Sequence, residues 1–310
     1  MRRYLRPAAA LLALCAAGHA EAGRGKAVCD GFLPPNNLKI AVGDVNALGI
    51  DEAAFDAVLT RVESIYSPIF AAKGKKLRVN RKWPDDTVNA GAMQFNNTWV
   101  INMYGGRHKA VRAEGFALVA CHEIGHHIGG FPKTDALWPT NEGGSDYFAT
   151  LKCLRRVFTG SEDTAKLDPA AARACRAAHP GDAERKLCEA EALAGMSIGA
   201  LFQNLRGQPA PPSFSTPDPM VVAKTNDSHP DTQCRLDTYF AGALCLKPLG
   251  EEQADAAPGP GSCTAAQGFS VGLRPRCWYK APTGEALRPI DLPSVVDLGK
   301  ALEAVSLSLR

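Results

Sequence analysis

The sequence predicts an α+β fold that is mainly helical and contains one small antiparallel or mixed sheet. Three observations support this prediction. The chain has 310 residues, of which 45% are hydrophobic, which is enough for a sizeable buried core. Short β-rich runs lie in the first third of the chain, and long segments with helical patterning follow them. The formal net charge is only +3, which gives no support to a protein that binds nucleic acid.

Strands are expected early in the chain and helices later. The expected strands cover residues 38–42 and 76–81, and two more β-rich runs lie within residues 89–106. Asn96 and Asn97 separate the last two runs, which predicts a hairpin. A helix is expected over residues 51–73, because Asp51 can cap it and Gly74 can end it. The remaining helices are expected over residues 111–128, 141–157, 168–206 (one or two helices) and about 230–245.

Two irregular segments divide the second half of the chain. Residues 208–219 contain five prolines and predict an extended loop. Residues 250–262 are rich in glycine, proline and alanine and predict a second flexible stretch. We therefore expect one main domain over residues 23–248, with a linker and a small cysteine-containing appendage over residues 249–310.

The first 22 residues have the pattern of an export signal. Basic residues come first, residues 8–17 are apolar, and Ala20-Glu21-Ala22 has the small-x-small form of a cleavage site. Ten apolar residues reach about 15 Å as a helix, which is roughly half of a bilayer's hydrocarbon core. No later segment is apolar enough to span a membrane. We therefore expect a cleaved signal and a soluble protein that is exported to the periplasm or secreted.

Export to an oxidising compartment favours disulfide bonds. Nine cysteines remain after the predicted signal, so at least one is free or forms an intermolecular bond. No two of them form a CxxC pair, so a thiolate zinc site is not predicted. The easier local bridges are Cys175 with Cys188 and Cys263 with Cys277. Cys234 and Cys245 are expected not to pair, because about 16 Å of one helix separates them.

The most informative segment is CHEIGHH, residues 121–127. On a helix, His122 and His126 lie one turn apart on the same face, with Cβ atoms about 5–6 Å apart. This spacing suits two imidazole ligands of one Zn²⁺, and Glu123 beside them can act as a general base towards water. The surrounding helix is apolar, so burying these side chains requires a compensating partner such as a metal. His127 points away from the ligand face and is expected to be structural.

A third ligand is needed, and the residues after this helix indicate which one. In metzincins the third ligand would stand at position 132, but Pro132 cannot bind a metal. The segment NEGGSD, residues 141–146, instead carries the NExxSD pattern of gluzincins such as thermolysin. By this resemblance Glu142 is the third ligand, and Asp146 orients a ligand histidine. The alternative for Glu142 is a carboxylate that only stabilises a helix start.

The order of the motifs resembles the gluzincin peptidases that include the CaaX prenyl proteases and the heat-shock-type membrane metalloproteases. The residues that carry the resemblance are Asn89, Ala90, the run Thr98–Tyr104, His122, Glu123, His126, Glu142, Asp146, and His229, Pro230 and Arg235 in an HPx4R pattern. The resemblance covers roughly residues 50–245. It implies a zincin-like fold in which an edge strand, Thr98–Tyr104, lies over the active-site helix and binds an extended peptide.

The resemblance also implies the chemistry of the site. It implies one Zn²⁺ per chain, with His122, His126 and Glu142 as ligands and Glu123 as the catalytic base. His229 is expected to donate to the oxyanion, and Arg235 to bond the carboxylate of Glu142. The alternative for this pair is that His229 caps a helix and Arg235 forms a surface ion pair.

The predicted function is that of an exported, soluble zinc metalloendopeptidase that acts on peptide or protein substrates. An intact Glu123 favours catalysis, because a structural zinc site needs no general base. Two alternatives remain open. One is a non-catalytic binding or assembly protein that zinc stabilises, and the other is a zinc amidase that acts on cell-wall peptides.

Overall fold

The computed structural model describes residues 31–34, 36, 39, 49–107 and 111–282. The fold is α+β, as predicted, with many helices and a three-stranded mixed sheet. The predicted signal peptide lies outside the described residues. So does most of the predicted strand 38–42, although Lys39 forms an isolated bridge with Thr87. No helix in the described part of the chain is long and apolar enough to cross a membrane.

The elements follow the predicted order closely. The helices are α1 (Glu52–Ala72), α2 (Ala113–Ile128), α3 (Glu142–Phe148), α4 (Arg155–Val157), α5 (Pro169–Ala178), α6 (Asp182–Leu205) and α7 (Thr232–Leu244). The strands are β1 (Lys76–Lys82), β2 (Ala90–Phe95) and β3 (Thr98–Tyr104). A π-helical stretch, Ala149–Leu154, joins α3 to α4. The predicted helix over residues 141–157 is therefore present as one nearly continuous helical segment.

Helix α1 illustrates how local signals set the boundaries. The Asp51 side chain accepts a hydrogen bond from the Ala54 amide and so satisfies one of the free amides of the first turn. The buried side chains of α1 recur at helical spacing and are Phe55, Leu59, Val62, Tyr66 and Phe70. This apolar stripe packs the helix onto the core beside the sheet and α2.

The sheet has the strand order β1-β3-β2, which corrects one prediction. β3 is the central strand, because it pairs in parallel with β1 and antiparallel with β2. The edge strand of the hairpin is therefore β2, and the prediction that Thr98–Tyr104 is an edge is wrong. The hairpin signal at Asn96 and Asn97 predicts the two strands correctly. The hairpin signal does not reveal which of the two strands pairs with β1.

Helix α2 is the centre of the fold and is buried from Gly115 to His127. It lies against the sheet on one side and against α3 and α6 on others. Gly125 permits the close approach of α3, because a Cβ at this position would lie 3.0 Å from the Ser145 backbone. The two segments that carry the predicted ligands are thereby brought side by side.

Four disulfide bonds cross-link the described part of the chain, which fits a protein from an oxidising, exported compartment. They are Cys121–Cys153, Cys175–Cys188, Cys234–Cys277 and Cys245–Cys263. The bond between Cys175 and Cys188 joins α5 to α6 and confirms the prediction. Cys234 and Cys245 do not bond to each other, also as predicted. Cys29 lies outside the described residues.

The predicted bond between Cys263 and Cys277 is wrong. Cys234 lies in the first turn of α7 and bonds to Cys277, whereas Cys245 directly follows α7 and bonds to Cys263. The segment after α7 is therefore attached to both ends of that helix. This pairing depends on tertiary packing, which the spacing of cysteines along the sequence does not reveal.

The described residues after 249 pack against the helical core. Apart from the short 3₁₀ turn Ala265–Gln267, residues 250–282 contain no helix or strand. Trp278 is fully buried and lies against Gly143 in α3, where a Cβ would clash with the indole ring. Arg274 donates a hydrogen bond to the carbonyl oxygen of Phe131, 3.1 Å away. This segment therefore covers the start of the helix that follows Asn141.

Candidate metal centre

Helix α2 supplies two histidines that face the same point. His122 and His126 are one turn apart, and their ring centroids are 4.6 Å apart. Both side chains are fully buried. This is the placement that the HEIGH spacing predicts.

Glu142 joins the two histidines from the first turn of α3. Its Oε2 atom lies 3.3 Å from His122 Nε2, and its Oε1 atom lies 3.6 Å from His126 Nε2. One potential ligand atom from each of the three residues lies within 4.8 Å of the other two. The Asn141 side chain accepts a hydrogen bond from the Gly144 amide, and this cap fixes where α3 begins.

The donor atoms of this triad fit a metal ion. The Nδ1 atom of His122 donates to Asp146 Oδ1 at 2.7 Å, and the Nδ1 atom of His126 donates to the Thr140 carbonyl oxygen at 2.8 Å. Each ring is therefore fixed so that Nε2 faces Glu142. Neither Nε2 atom has a hydrogen-bond partner, although both are buried. Such atoms are rare in folded proteins, and a bound cation satisfies them.

The electrostatics of the triad also favour a cation. Burial raises the pKa of Glu142, but His122, His126 and His229 lower it well below its ordinary value, so this carboxylate is ionised. Burial lowers the pKa of His122, yet Asp146 and Glu142 together raise it to about 9. Burial and the charge on His122 lower the pKa of His126 to about 4. We therefore expect metal binding to displace a proton from His122.

Asp146 and Arg235 form a fully buried ion pair behind His122. Arg235 Nε donates to Asp146 Oδ2 at 2.8 Å, and a terminal nitrogen of Arg235 donates to Asp146 Oδ1 at 2.7 Å. The same terminal nitrogen is 3.9 Å from Glu142 Oε2. The main partner of Arg235 is therefore Asp146 rather than Glu142, the partner that the sequence suggests. Arg235 therefore acts on the candidate metal centre indirectly: it holds Asp146, and Asp146 orients His122.

His229 lies beside the triad, just before α7. Its Nε2 atom is 3.4 Å from Glu142 Oε2 and donates to the Gly31 carbonyl oxygen at 2.7 Å. The side chain is 13% exposed. Glu123 is fully buried on α2, next to His122 in the chain.

His127 lies outside the triad and packs between two tryptophans. Its ring is stacked on Trp99 and Trp138, with centroids 5.3 and 5.0 Å away. Its Nε2 atom donates to the Val100 carbonyl oxygen at 3.2 Å. This environment supports the structural role that the sequence suggests.

Sequence reasoning missed three residues that shape the site. The carbonyl group of Thr140 orients His126, and the Ser145 hydroxyl lies 3.0 Å from the same Nδ1 atom. Ser145 stands in the NExxSD motif, so a signal for it was present. Phe32 places its ring edge-on to His122, with centroids 4.8 Å apart, and no sequence pattern points to it.

Comparison with known proteins gives no match: no protein-family model, no curated protein and no solved structure resembles the chain closely enough.

Proposed function

We propose that this protein is an exported, zinc-dependent metalloendopeptidase that acts in an oxidising compartment. The observation that carries the proposal is the convergence of His122, His126 and Glu142, in which both buried Nε2 atoms lack a hydrogen bond and face the carboxylate. Two imidazoles and one carboxylate form a ligand set found in catalytic zinc sites. A structural zinc site is usually closed by four protein ligands, and the described residues offer three here.

The side chains around the triad have distinct roles in this proposal. His122, His126 and Glu142 would hold the zinc ion, which would supply Lewis-acid chemistry towards the scissile carbonyl group and the attacking water. Glu123 takes a proton from the attacking water and passes it to the leaving amine. His229 stabilises the oxyanion, and its hydrogen bond to the Gly31 carbonyl oxygen supports this role, because it already donates to a peptide carbonyl there.

The supporting residues hold these groups in position. Asp146 fixes the ring of His122, and Arg235 holds Asp146 through two hydrogen bonds. The available sheet edge near α2 is β2, so β2 replaces β3 as the strand along which a peptide would bind. The alternative that zinc serves only to stabilise a binding or assembly protein predicts the same ligands but no hydrolysis.

The test is hydrolysis of a peptide library and of cell-wall peptides by the full chain, with and without a chelator. Glu123→Gln is expected to keep its zinc but to lose hydrolysis by about 10²–10⁴-fold, since only the general base is removed. His229→Ala is expected to lower kcat by about 10²–10³-fold, also with its zinc intact.

Glu191→Gln is the matched control for Glu123→Gln. Glu191 is a second buried glutamate, on α6, and it should tolerate the change without loss of hydrolysis. Full activity of a folded Glu123→Gln protein would refute the proposed mechanism. Cleavage restricted to cell-wall peptides would assign the amidase function instead.

A further inference from the structure

The chain places one of its own segments, residues 31–33, against the metal centre. The Gly31 carbonyl oxygen accepts a hydrogen bond from His229 at 2.7 Å. The Phe32 amide donates to the Ala90 carbonyl oxygen at 3.1 Å. The Phe32 carbonyl oxygen accepts from Arg235 at 2.9 Å. Two of these three backbone groups are thus bound by His229 and Arg235, which also lie 3.4 and 3.9 Å from Glu142 Oε2.

Leu33 continues the same pattern. Its amide donates to Asn89 Oδ1 at 3.0 Å, and its carbonyl oxygen accepts from Asn89 Nδ2 at 3.2 Å. Five consecutive backbone groups, from the Gly31 carbonyl to the Leu33 carbonyl, are therefore hydrogen-bonded to neighbouring residues of the fold. Contacts of this kind recognise a peptide backbone independently of its side chains.

The side chain of Phe32 anchors the segment. Its ring is fully buried and stacks on Phe202 with a centroid distance of 5.4 Å. The guanidinium group of Arg235 lies over the Phe32 ring, 4.3 Å from the ring centroid. Because the ring also contacts His122, the anchor lies directly beside a proposed zinc ligand.

Gly31 is the residue that permits this fit. Its φ is +95°, a conformation that favours glycine, and a Cβ would lie 2.5 Å from the Ala90 carbonyl oxygen. A larger residue would therefore move the Gly31 carbonyl away from His229.

We propose that residues 31–33 occupy the peptide-binding cleft of their own molecule and block it until a substrate displaces them. This inference rests on the proposed function, because it takes His229 as the donor to a substrate carbonyl. A peptide that uses the same donor must first remove the Gly31 carbonyl. The apparent affinity for peptide is then reduced by the fraction of molecules in which the cleft is filled.

The test measures peptide binding rather than turnover. Glu123→Gln protein loaded with zinc is titrated against the individual members of a fluorescent peptide library. Fluorescence anisotropy gives the dissociation constant of each peptide. Adding Gly31→Ala to the Glu123→Gln protein is expected to tighten peptide binding by about tenfold. Alanine is disfavoured in the left-handed conformation of residue 31, so the segment leaves the cleft more often. Gly268→Ala is the matched control. Its φ is +84° and no atom lies within 4 Å of its added Cβ, so it imposes strain without touching the cleft.

Hydrogen exchange at the Phe32 and Leu33 amides provides an independent measurement. Both amides are expected to be protected in the parent protein and to exchange faster when peptide saturates the cleft. Phe32→Ala is a second variant that should bind peptide more tightly by removing the anchor.

The outcomes separate this inference from the proposed function. If saturating peptide makes the Phe32 and Leu33 amides exchange faster but no peptide is hydrolysed, the segment does fill the cleft. Only the catalytic proposal then fails. If hydrolysis proceeds while the amides stay protected at saturating peptide, the inference is wrong and the catalytic proposal stands. Equal peptide affinity of Gly31→Ala and Gly268→Ala, or a failure of every peptide to bind, would also overturn the inference.

Discussion

Replacing Arg235 with leucine tests whether the ion pair behind the metal centre holds the fold. Arg235 and Asp146 are both fully buried and share two hydrogen bonds of 2.7 and 2.8 Å. Removing the arginine leaves the buried Asp146 carboxylate without its two guanidinium hydrogen bonds and with His122 as its remaining cationic partner, which costs about 3–5 kcal/mol. The whole domain is stable by only about 5–15 kcal/mol. We therefore expect a large fall in the urea midpoint and a melting temperature lower by roughly 10 °C.

The measurement is made with a chelator present, so that metal loss does not contribute to the difference in the free energy of unfolding. Arg206→Leu is the matched control, because Arg206 also packs on Phe202 but pairs with the exposed Asp231 at 3.6 Å. Arg206 also donates to the Thr232 hydroxyl and the Pro230 carbonyl oxygen, both at 3.1 Å, so its replacement should cost no more than about 2 kcal/mol. A loss for Arg235→Leu no larger than this control would refute the reasoning and favour a surface-type ion pair. With zinc added, Arg235→Leu should also bind the metal about 10–100-fold more weakly.

Three further predictions concern the metal, the pH dependence and the disulfides. Glu142→Ala should lower the zinc content measured by elemental analysis, and unchanged stoichiometry would place the third ligand elsewhere. Burial raises the pKa of Glu191 well above its ordinary value, so the free energy of unfolding should fall as the pH rises above about 4.5, the value of the unfolded chain. Glu191→Gln should flatten this slope in denaturation curves, and an unchanged slope would contradict the assignment. Replacing Cys121 and Cys153 together with serine should cost about 2–4 kcal/mol of stability and weaken zinc binding, and equal zinc affinity would show that the bond does not support the site.

The convergence of His122, His126 and Glu142 can be predicted from the sequence because the information for it is local. His122 and His126 are fixed by the helical repeat, and Glu142 follows from a short motif whose first residue, Asn141, is also a helix cap. The same holds for α1 and for the hairpin, where caps and a turn mark the boundaries. In each case the interacting residues lie within a few positions of one another.

The features that the sequence does not predict depend on distant parts of the chain. β3 is central only because β1 returns beside it, and the partners of Cys263 and Cys277 depend on where α7 lies. Phe32 is separated from His122 by 90 positions and has no motif around it. Such contacts follow from packing, and a short pattern cannot encode them.

The contact between Trp278 and Gly143 bears on the order in which the protein matures. Every proposed ligand, base and supporting residue from His122 to Arg235 is synthesised before Trp278. A nascent chain that has emerged only as far as α7 therefore carries the whole centre, yet the helix of Glu142 still lacks the indole that covers it. The bond between Cys234 and Cys277 is also still unmade at that stage. The surroundings of Glu142 are therefore complete only once Trp278 has been synthesised and has packed on α3.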